Sequence, residues 1–313
     1  MTKRELTVKS VVEKFDNITM LNKGNLERKI SYPSLTRTGI ELASSTSSVH
    51  DKLGSIVLWG NSEQIFLKAL TATQRREAIR RVVRLDPPAI MLTKSFEDVN
   101  IVLNVLKTSK IPVLKSSFST NETYFLVSPY IAKSLSPSRT VHGTLVNIFG
   151  VGVLLMGESG IGKSEIALEL VKKGHLFVGD DAIDIVYFAG QVFGEPNLVA
   201  NKFIEIRGLG ILDISRMFGV EKIAKSTQVE IVVNLVKWDK VPGHEFERVG
   251  NDNQYVQFEN AKLLSYTLPI TPGRKISDIV ETVVIDFKLK SEGYNSAKEF
   301  LDNYEKALAK GVK

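Results

Sequence analysis

The sequence contains no cysteine. This absence excludes disulfide bridges, thiol nucleophiles, zinc sites built on cysteine and thiolate-bound iron–sulfur clusters. A reducing interior is the simplest compartment for such a chain, so we expect a cytoplasmic protein. The opening residues, MTKRELTVKSVVEKF, carry charges throughout and have no apolar core, and they therefore do not resemble a secretory signal.

Long apolar runs are also missing. The nearest candidate, residues 140–157, carries no formal charge when His142 is neutral, but glycines and Asn147 interrupt it. A membrane-spanning helix needs about 20 mainly apolar residues. The β-rich composition of this stretch instead predicts two buried strands, and we expect no membrane partner.

The length and composition predict a folded soluble protein with two domains. The 313 residues are 43% hydrophobic and 24% charged, which is ordinary for globular proteins. One core rarely extends this far, because domains usually contain about 100–200 residues. We predict an N-terminal α/β domain over 1–132, a linker over 133–139 and a second domain over 140–313.

The net charge of +6 is unevenly distributed. Residues 1–136 contain 20 Lys and Arg against 12 Asp and Glu, whereas the remainder contains 21 against 23. Much of the basic excess lies on a helix predicted to begin near Thr71 or Thr73. A solvated helix face fits this pattern, and so does a surface for nucleic acid or an acidic partner. Nucleic acid is the less favoured partner, because no aromatic-interleaved motif accompanies the arginines. These are Arg75, Arg76, Arg80, Arg81 and Arg84.

The N-terminal half alternates apolar runs with helical patterns. The runs at 56–59, 89–93 and 111–117 predict strands, and the segment 96–109 predicts a helix. This order favours a small α/β domain with parallel pairing. It contains no catalytic constellation, and His50 is interpreted as a surface residue.

The motif that carries chemistry in the second half is a phosphate-binding loop. It matches G-x-x-x-x-G-K-[ST], with an apolar strand before it and a helix pattern after it. Its glycines let successive backbone N–H groups converge on a phosphate, and the helix N-terminus adds positive partial charge. Lys163 would bridge the β- and γ-phosphates, and the Ser164 hydroxyl would hold Mg²⁺. The loop consists of Gly157, Glu158, Ser159, Gly160, Ile161, Gly162, Lys163 and Ser164.

Two adjacent acids follow the next apolar strand. Residues 175–179 lead directly into Asp180 and Asp181, and P-loop folds use such a strand end to place a carboxylate beside the metal. Because neighbouring side chains point to opposite sides, one acid can lie toward Mg²⁺ while the other accepts a proton from an incoming hydroxyl. A turn that merely contains two acids is the alternative.

Several segments together resemble the bacterial HPr kinase/phosphorylase family. The resemblance is dense over 140–290 and weaker over the first 130 residues. It implies a P-loop kinase domain related to phosphoenolpyruvate carboxykinase, fused to a small N-terminal α/β domain. The segments are His142-Gly143-Thr144, GESGIGKSE, HLFVGDDAID, IEIRGLGILDI (204–214), FERVG (246–250) and PITPGR (269–274).

The resemblance implies a bifunctional enzyme that acts on HPr, the phosphocarrier protein of the bacterial sugar phosphotransferase system. Such an enzyme phosphorylates a serine of HPr from ATP or pyrophosphate, and it removes that phosphate by phosphorolysis, which forms pyrophosphate. The resemblance further implies a role in carbon catabolite regulation and sugar uptake. It also implies a cytoplasmic homohexamer, with fructose 1,6-bisphosphate as an effector.

The resemblance also implies roles for single residues. Asp181 matches the general base, Asp180 would lie nearer the metal or assist, and His142 would tune the protonation of the acid. The remaining matches are Lys163 for the phosphates, Ser164 and Glu205 for Mg²⁺, Arg207, Gly208 and Arg248 around the transferred phosphoryl group, and Arg274 for the phosphorolysis direction.

Two C-terminal helices are predicted, 277–290 with Ser277 as N-cap and 296–309 behind Asn295 or Ser296. HPr could dock on Arg248 or on the first of these helices. His175 and His244 are interpreted as structural.

Rival functions remain open at this stage. One is a small-molecule kinase on the same fold, and another is a non-enzymatic nucleotide sensor that binds nucleic acid through its basic helix. A guanine-specific site is excluded, because Asn234 and Lys237 stand two residues too far apart for the Asn-Lys-x-Asp pattern.

Overall fold

The computed structural model describes residues 5–37, 54–197, 201–238, 254–258, 260–271 and 273–309. The chain divides into two compact units, Met1–Pro137 and Ser138–Lys313. Both units mix helices and strands, as predicted for the fold class.

The N-terminal unit contains a four-stranded sheet of order β2-β6-β5-β4. Strands β4, β5 and β6 are parallel, β2 runs antiparallel to β6, and β1 pairs with β3. The strands are β1 Leu6–Thr7, β2 Ile18–Met20, β3 Lys29–Ile30, β4 Val57–Trp59, β5 Ile90–Leu92 and β6 Val113–Ser116. The helices are α1 Val8–Lys14, α2 Asn61–Ala69, α3 Ala72–Arg84, α4 Asn100–Leu103 and α5 Thr120–Leu135.

Helices cover both faces of this sheet, which explains why its strands β4 and β5 are wholly apolar. Successive side chains of a strand point to opposite faces. Trp59 therefore packs in the cluster that contains Ile79 of α3, while its neighbour Leu58 packs in the cluster that contains Val127 of α5. The predicted strand–helix–strand arrangement with parallel pairing is confirmed.

The basic helix is confirmed as α3, which begins after Thr71 as N-cap. Its residues Ala78, Ile79 and Val82 are fully buried. Arg75 does not stand free on the surface, because its guanidinium donates to the carbonyls of Leu67 (2.7 Å) and Leu70 (3.1 Å) at the end of α2. Arg75 therefore satisfies carbonyl groups at the C-terminal end of α2, a neighbouring helix.

The helix predicted over 96–109 is wrong in extent. Only Asn100–Leu103 are helical. The backbone on either side forms tighter turns, in which the N–H of Ile101 bonds Asp98 and the N–H of Val105 bonds Val102. The side chain of Gln64 accepts the N–H of Asp98 at 2.8 Å, and this bond holds the segment in its turn conformation. β-Branched residues also weaken helix propensity here.

The predicted linker over 133–139 is also wrong. Helix α5 continues through Leu135, and the next strand begins at Ser138, so that only Ser136 and Pro137 connect them. The helix starts in a capping box, in which Ser119 and Glu122 bond each other's backbone N–H groups. Pro129 inside the helix interrupts the sequence pattern that would otherwise have revealed it.

The C-terminal unit is built on a nine-stranded sheet, counted over the described residues. Its strands are β7 Ser138–His142, β8 Thr144–Ile148, β9 Val151–Gly157, β10 Leu176–Gly179, β11 Ala182–Phe188, β12 Gln191–Pro196, β15 Thr227–Lys237, β16 Gln254–Phe258 and β17 Ala261–Ile270. A separate hairpin consists of β13 Phe203–Ile206 and β14 Gly210–Asp213. The helices are α6 Lys163–Lys172, α7 Ile214–Phe218, α8 Ile276–Ser291 and α9 Ser296–Ala309.

Strand β15 lies at the centre of this sheet. It runs parallel to β9 on one side and to β17 on the other, and its first residues pair with β12. The two strands predicted within 140–157 are confirmed as β8 and β9, which are antiparallel. Among the described residues, none of the helices combines the length and the apolar character that crossing a bilayer requires.

Helices α6 and α8 are joined at the end of α6. The ammonium of Lys173 contacts the carboxylates of Asp278 and Glu281, which raise the pKa of the lysine. The buried imidazole of His175 bonds Glu281 at 2.7 Å and packs edge-on against Phe149. These contacts make His175 part of the framework, as interpreted from the sequence.

Ser277 is not the N-cap of α8, contrary to the prediction. The helix begins at Ile276, with Lys275 at the N-cap position and no side-chain hydrogen bond there. Ser277 is buried in the first turn. For α9 the prediction is confirmed, because the side chain of Asn295 accepts the N–H of Lys298 at 3.1 Å.

Candidate active site

The loop 157–164 connects β9 to α6 as predicted. Gly160 and Gly162 have φ values of 76° and 104°, in the left-handed region that favours glycine. Gly162 is the N-cap of α6 and offers no side-chain cap. The first N–H groups of α6 are therefore available to an anion, whose charge the helix dipole stabilises.

Lys163 lies folded inside this loop. Its side chain is 6% exposed, and Nζ donates to the carbonyls of Gly157 (3.0 Å) and Glu158 (3.1 Å). Nζ also lies 3.4 Å from Nε2 of His142. The ammonium is thus held in the concavity where the loop would receive phosphate oxygens.

The two adjacent aspartates occupy different environments. Asp180 is 7% exposed and accepts hydrogen bonds from the hydroxyls of Thr144 and Ser164, the latter at 2.7 Å. It is therefore fixed beside the hydroxyl that would bind Mg²⁺. The Asp181 side chain is 79% exposed. The backbone of Asp181 has φ 68°, a strained value for a residue other than glycine.

His142 holds Asp181 on the open side of the loop. Nδ1 lies 2.9 Å from the Asp181 carboxylate and 3.0 Å from its carbonyl oxygen. The pairing of β7 with β11 brings them together, because His142 lies opposite Ala182 in the register. A solvent-facing carboxylate beside an imidazole and a buried lysine is suited to accept a proton from an incoming hydroxyl.

The β13–β14 hairpin supplies the opposite wall. Glu205 and Arg207 lie on it, and Gly160 lets Arg207 approach the loop, since a Cβ at Gly160 would lie 2.4 Å from Arg207 Nη1. Asp213 fixes the far end of the hairpin. A hydrogen bond from Ser215 and another from Lys202 lower the pKa of Asp213 to about 2.

These residues line one pocket of about 160 Å³. Within the described part of the chain, no cluster of three or more His, Asp or Glu side chains could hold a metal by itself. Mg²⁺ is ordinarily bound by one or two carboxylates together with substrate phosphates, and the oxygens of Ser164, Asp180 and Glu205 fit that arrangement. The lining consists of His142, Ser159, Gly160, Gly162, Lys163, Ser164, Glu165, Asp180, Asp181, Glu205 and Arg207.

Comparison with known proteins decides the family. Residues 133–304 match the model of the HPr serine kinase C-terminal domain, and residues 6–131 match that of the HPr serine kinase N terminus. The chain belongs to the HPr serine kinase family. It is 42% identical to an HPr kinase/phosphorylase of Mycoplasma pneumoniae over 99% of both chains. An HPr kinase/phosphorylase of Mycoplasma genitalium is 40% identical over 95% of this chain and 96% of its own.

A more distant relative also matches over most of its length. The HPr kinase/phosphorylase of Caldicellulosiruptor bescii is 36% identical over 91% of both chains. The match to the HPr serine kinase N terminus covers the part of this chain where sequence motifs gave little information. Membership in a kinase family implies nucleotide use.

Not every described site residue predicted for this HPr serine kinase family member lines the pocket, since Gly157, Glu158, Ile161 and Gly208 do not. Arg248 lies outside the described residues, as do His50 and His244. Arg274 is exposed, follows a turn in which its N–H bonds Thr271, and does not line the described pocket.

Sequence reasoning gave no role to two residues of the site, one behind the pocket and one in its lining. Thr144 is fully buried and donates to Asp180. It stands in the His142-Gly143-Thr144 segment of the family resemblance, but nothing in that segment distinguished its hydroxyl. Glu165 also lines the pocket, but nothing distinguished it from an ordinary acid in the first turn of a helix.

Proposed function

We propose that this chain transfers a phosphoryl group to a serine of HPr and removes it again by phosphorolysis. The observation that carries the proposal is the placement of a solvent-facing base, Asp181, beside a buried lysine at a helix N-terminus, in a member of the HPr serine kinase family. A kinase that acts on a protein needs a base that the substrate hydroxyl can reach and, beside it, a cation that binds the donor phosphates.

The donor phosphates bind in the loop 157–164. Backbone N–H groups at the start of α6 and the ammonium of Lys163 offset their charge. The Arg207 guanidinium, which lies against Gly160, holds the equatorial oxygens of the transferred group through charge-assisted hydrogen bonds.

Ser164 and Glu205 would hold Mg²⁺, with Asp180 orienting the Ser164 hydroxyl. When bound, the metal neutralises charge that develops on the phosphate oxygens. ATP and pyrophosphate can both serve as donors, because both present the phosphate chain that Lys163 and Ser164 would bind.

Asp181 acts as general base in the kinase direction. It takes the proton of the serine hydroxyl while the serine oxygen forms a bond to phosphorus and the bond from phosphorus to the leaving ADP or phosphate oxygen breaks. In phosphorolysis, an oxygen of inorganic phosphate attacks the phosphorus of phosphoserine and forms pyrophosphate, while the bond from phosphorus to the serine oxygen breaks and Asp181 returns the proton to that oxygen. His142 orients the carboxylate for both directions through its bond at 2.9 Å.

The family resemblance supports three further parts of the proposal. The chain acts as a cytoplasmic homohexamer, fructose 1,6-bisphosphate modulates it, and its activity controls carbon catabolite regulation and sugar uptake. Arg248 and Arg274 assist the transfer, Arg274 in the phosphorolysis direction.

The test is phosphate transfer to purified HPr with Mg²⁺, using ATP in one reaction and pyrophosphate in another. We expect acid-stable label on a serine of HPr from both donors. An HPr variant with that serine replaced by alanine is the control and should stay unlabelled. ATP binding without transfer from either donor would instead support a small-molecule kinase or a nucleotide sensor.

A further inference from the structure

Two large apolar side chains stand exposed on the hairpin that contributes to the lining of the active-site pocket. Leu209 and Ile211 are 71% and 74% exposed. They belong to the β13–β14 hairpin, the element that brings Glu205 and Arg207 into the pocket.

The register of the hairpin places Ile211 beside the site. Ile211 lies directly opposite Glu205, and such cross-strand neighbours have Cβ atoms about 4.5–5.5 Å apart on the same face. The other face carries Ile204 and Ile206, which are buried in the main core. The hairpin is therefore anchored by its inner face, and Ile211 is not needed for that anchorage.

Leu209 is presented at the tip by the turn itself. Its N–H bonds the carbonyl of Ile206 at 3.0 Å. Gly208 and Gly210, with φ of 84° and 87°, flank it. Since a side chain at either position would strain the backbone, the turn leaves Leu209 as the one apolar group that projects between Arg207 and the strand β14.

The small ligands of the pocket do not explain these side chains. Phosphates and Mg²⁺ are strongly hydrated and gain nothing from a leucine or an isoleucine. A protein surface does, because burying apolar area against a partner removes that area from water. The serine of a protein substrate must also enter the pocket that Asp181 shares with Glu205 and Arg207 of this hairpin.

We propose that Leu209 and Ile211 form the apolar contact on which the serine-bearing segment of the protein substrate docks. This inference rests on the proposed function and specifies how HPr is recognised. The segment carries an apolar side chain close to its serine. Arg207 lies next to the contact in the hairpin and pairs with the phosphate once it is attached. The same contact serves both directions, since HPr and its serine-phosphorylated form occupy the same place.

The experiment compares Leu209→Ser and Ile211→Thr with the wild-type chain. Each change removes apolar surface without disturbing the core. We expect the KM for HPr and the KM for serine-phosphorylated HPr each to rise about tenfold per substitution. The maximal rate and the affinity for ATP should stay within twofold of wild type. Ile65→Thr is the matched control, because Ile65 is 60% exposed on α2 of the other unit, and it should change none of these values.

Three results would overturn the inference, and they are distinguishable. An unchanged KM for HPr in both variants would show that Leu209 and Ile211 do not bind HPr, and it would leave the proposed function intact. A lower molar mass of the variants by light scattering assigns the contact to the interface between copies of this chain. Failure of the wild-type chain to phosphorylate HPr removes the proposed function itself, and the docking role with it.

Discussion

Three helices of the N-terminal unit begin differently from two helices of the C-terminal unit. In the N-terminal unit, α3 and α5 start in capping boxes built on Thr71 and Ser119, and at α2 the side chain of Glu63 accepts the N–H of the N-cap residue, Gly60. In the C-terminal unit, α6 and α8 start at Gly162 and Lys275 without a side-chain cap. Both of these helices follow segments that the family resemblance ties to phosphate.

The contrast is sharpest between two turns of the same kind. Strand β4 passes through Gly60 into α2, and strand β9 passes through a glycine-rich loop into α6. At α2 the carboxylate of Glu63 accepts the N–H of Gly60 at 2.8 Å and is itself buried. At α6 there is no side-chain cap, and the side chain of Lys163 lies folded against the carbonyls of Gly157 and Glu158. A carboxylate is thus bonded to the backbone at the start of α2, whereas a cation lies at the start of α6 and favours a bound anion there.

The largest effect is expected from Lys163→Ala. The substitution removes the cation from the uncapped helix start, so ATP-dependent transfer to HPr should fall by at least about 100-fold. The measurement is the initial rate of HPr labelling. Lys172→Ala, at the other end of the same helix, is the matched control and should keep full activity. Normal turnover by the Lys163 variant would show that this lysine has no role in the transfer.

A smaller effect is expected at the second uncapped helix. Arg274→Ala should lower the rate of phosphorolysis about tenfold, the loss of one charge-assisted hydrogen bond to phosphate, and lower phosphorylation less. Lys275→Ala is the matched control, and it tests whether the loss of any exposed cation at the start of α8 slows phosphorolysis as much as the loss of Arg274. Equal losses in the two directions would contradict a role of Arg274 that depends on direction.

The smallest effect on activity is expected in the N-terminal unit. Glu63→Ala should lower the free energy of unfolding of that unit by about 1 kcal/mol, since it leaves the buried N–H of Gly60 without its acceptor. Phosphate transfer should not change. Urea unfolding followed by the fluorescence of the buried Trp59 reports this unit in a Trp238→Phe background. Glu63→Gln keeps an acceptor for Gly60 and should recover most of the stability, whereas a loss of transfer in either variant would break the contrast between the units.

The sequence predicted the loop 157–164, the acids after β10 and the parallel strands, because each depends on local patterns that a single chain displays. It did not predict α5, whose pattern Pro129 interrupts, or the short α4, whose turns depend on a bond from Gln64. The pairing of His142 with Asp181 follows from strand register across 39 residues of chain. Register depends on tertiary packing, and only the family resemblance had linked these two residues.

The most direct test of the account is Asp181→Asn, measured in both directions. The change removes the base but keeps the shape of the side chain. We expect phosphorylation of HPr and phosphorolysis of its serine-phosphorylated form to fall by the same factor, at least about 100-fold, while ATP affinity stays unchanged. Asp184→Asn, in the strand β11 that follows Asp181, should leave both rates intact. Retained activity, or a loss confined to one direction, would contradict the assignment of one shared base to both reactions.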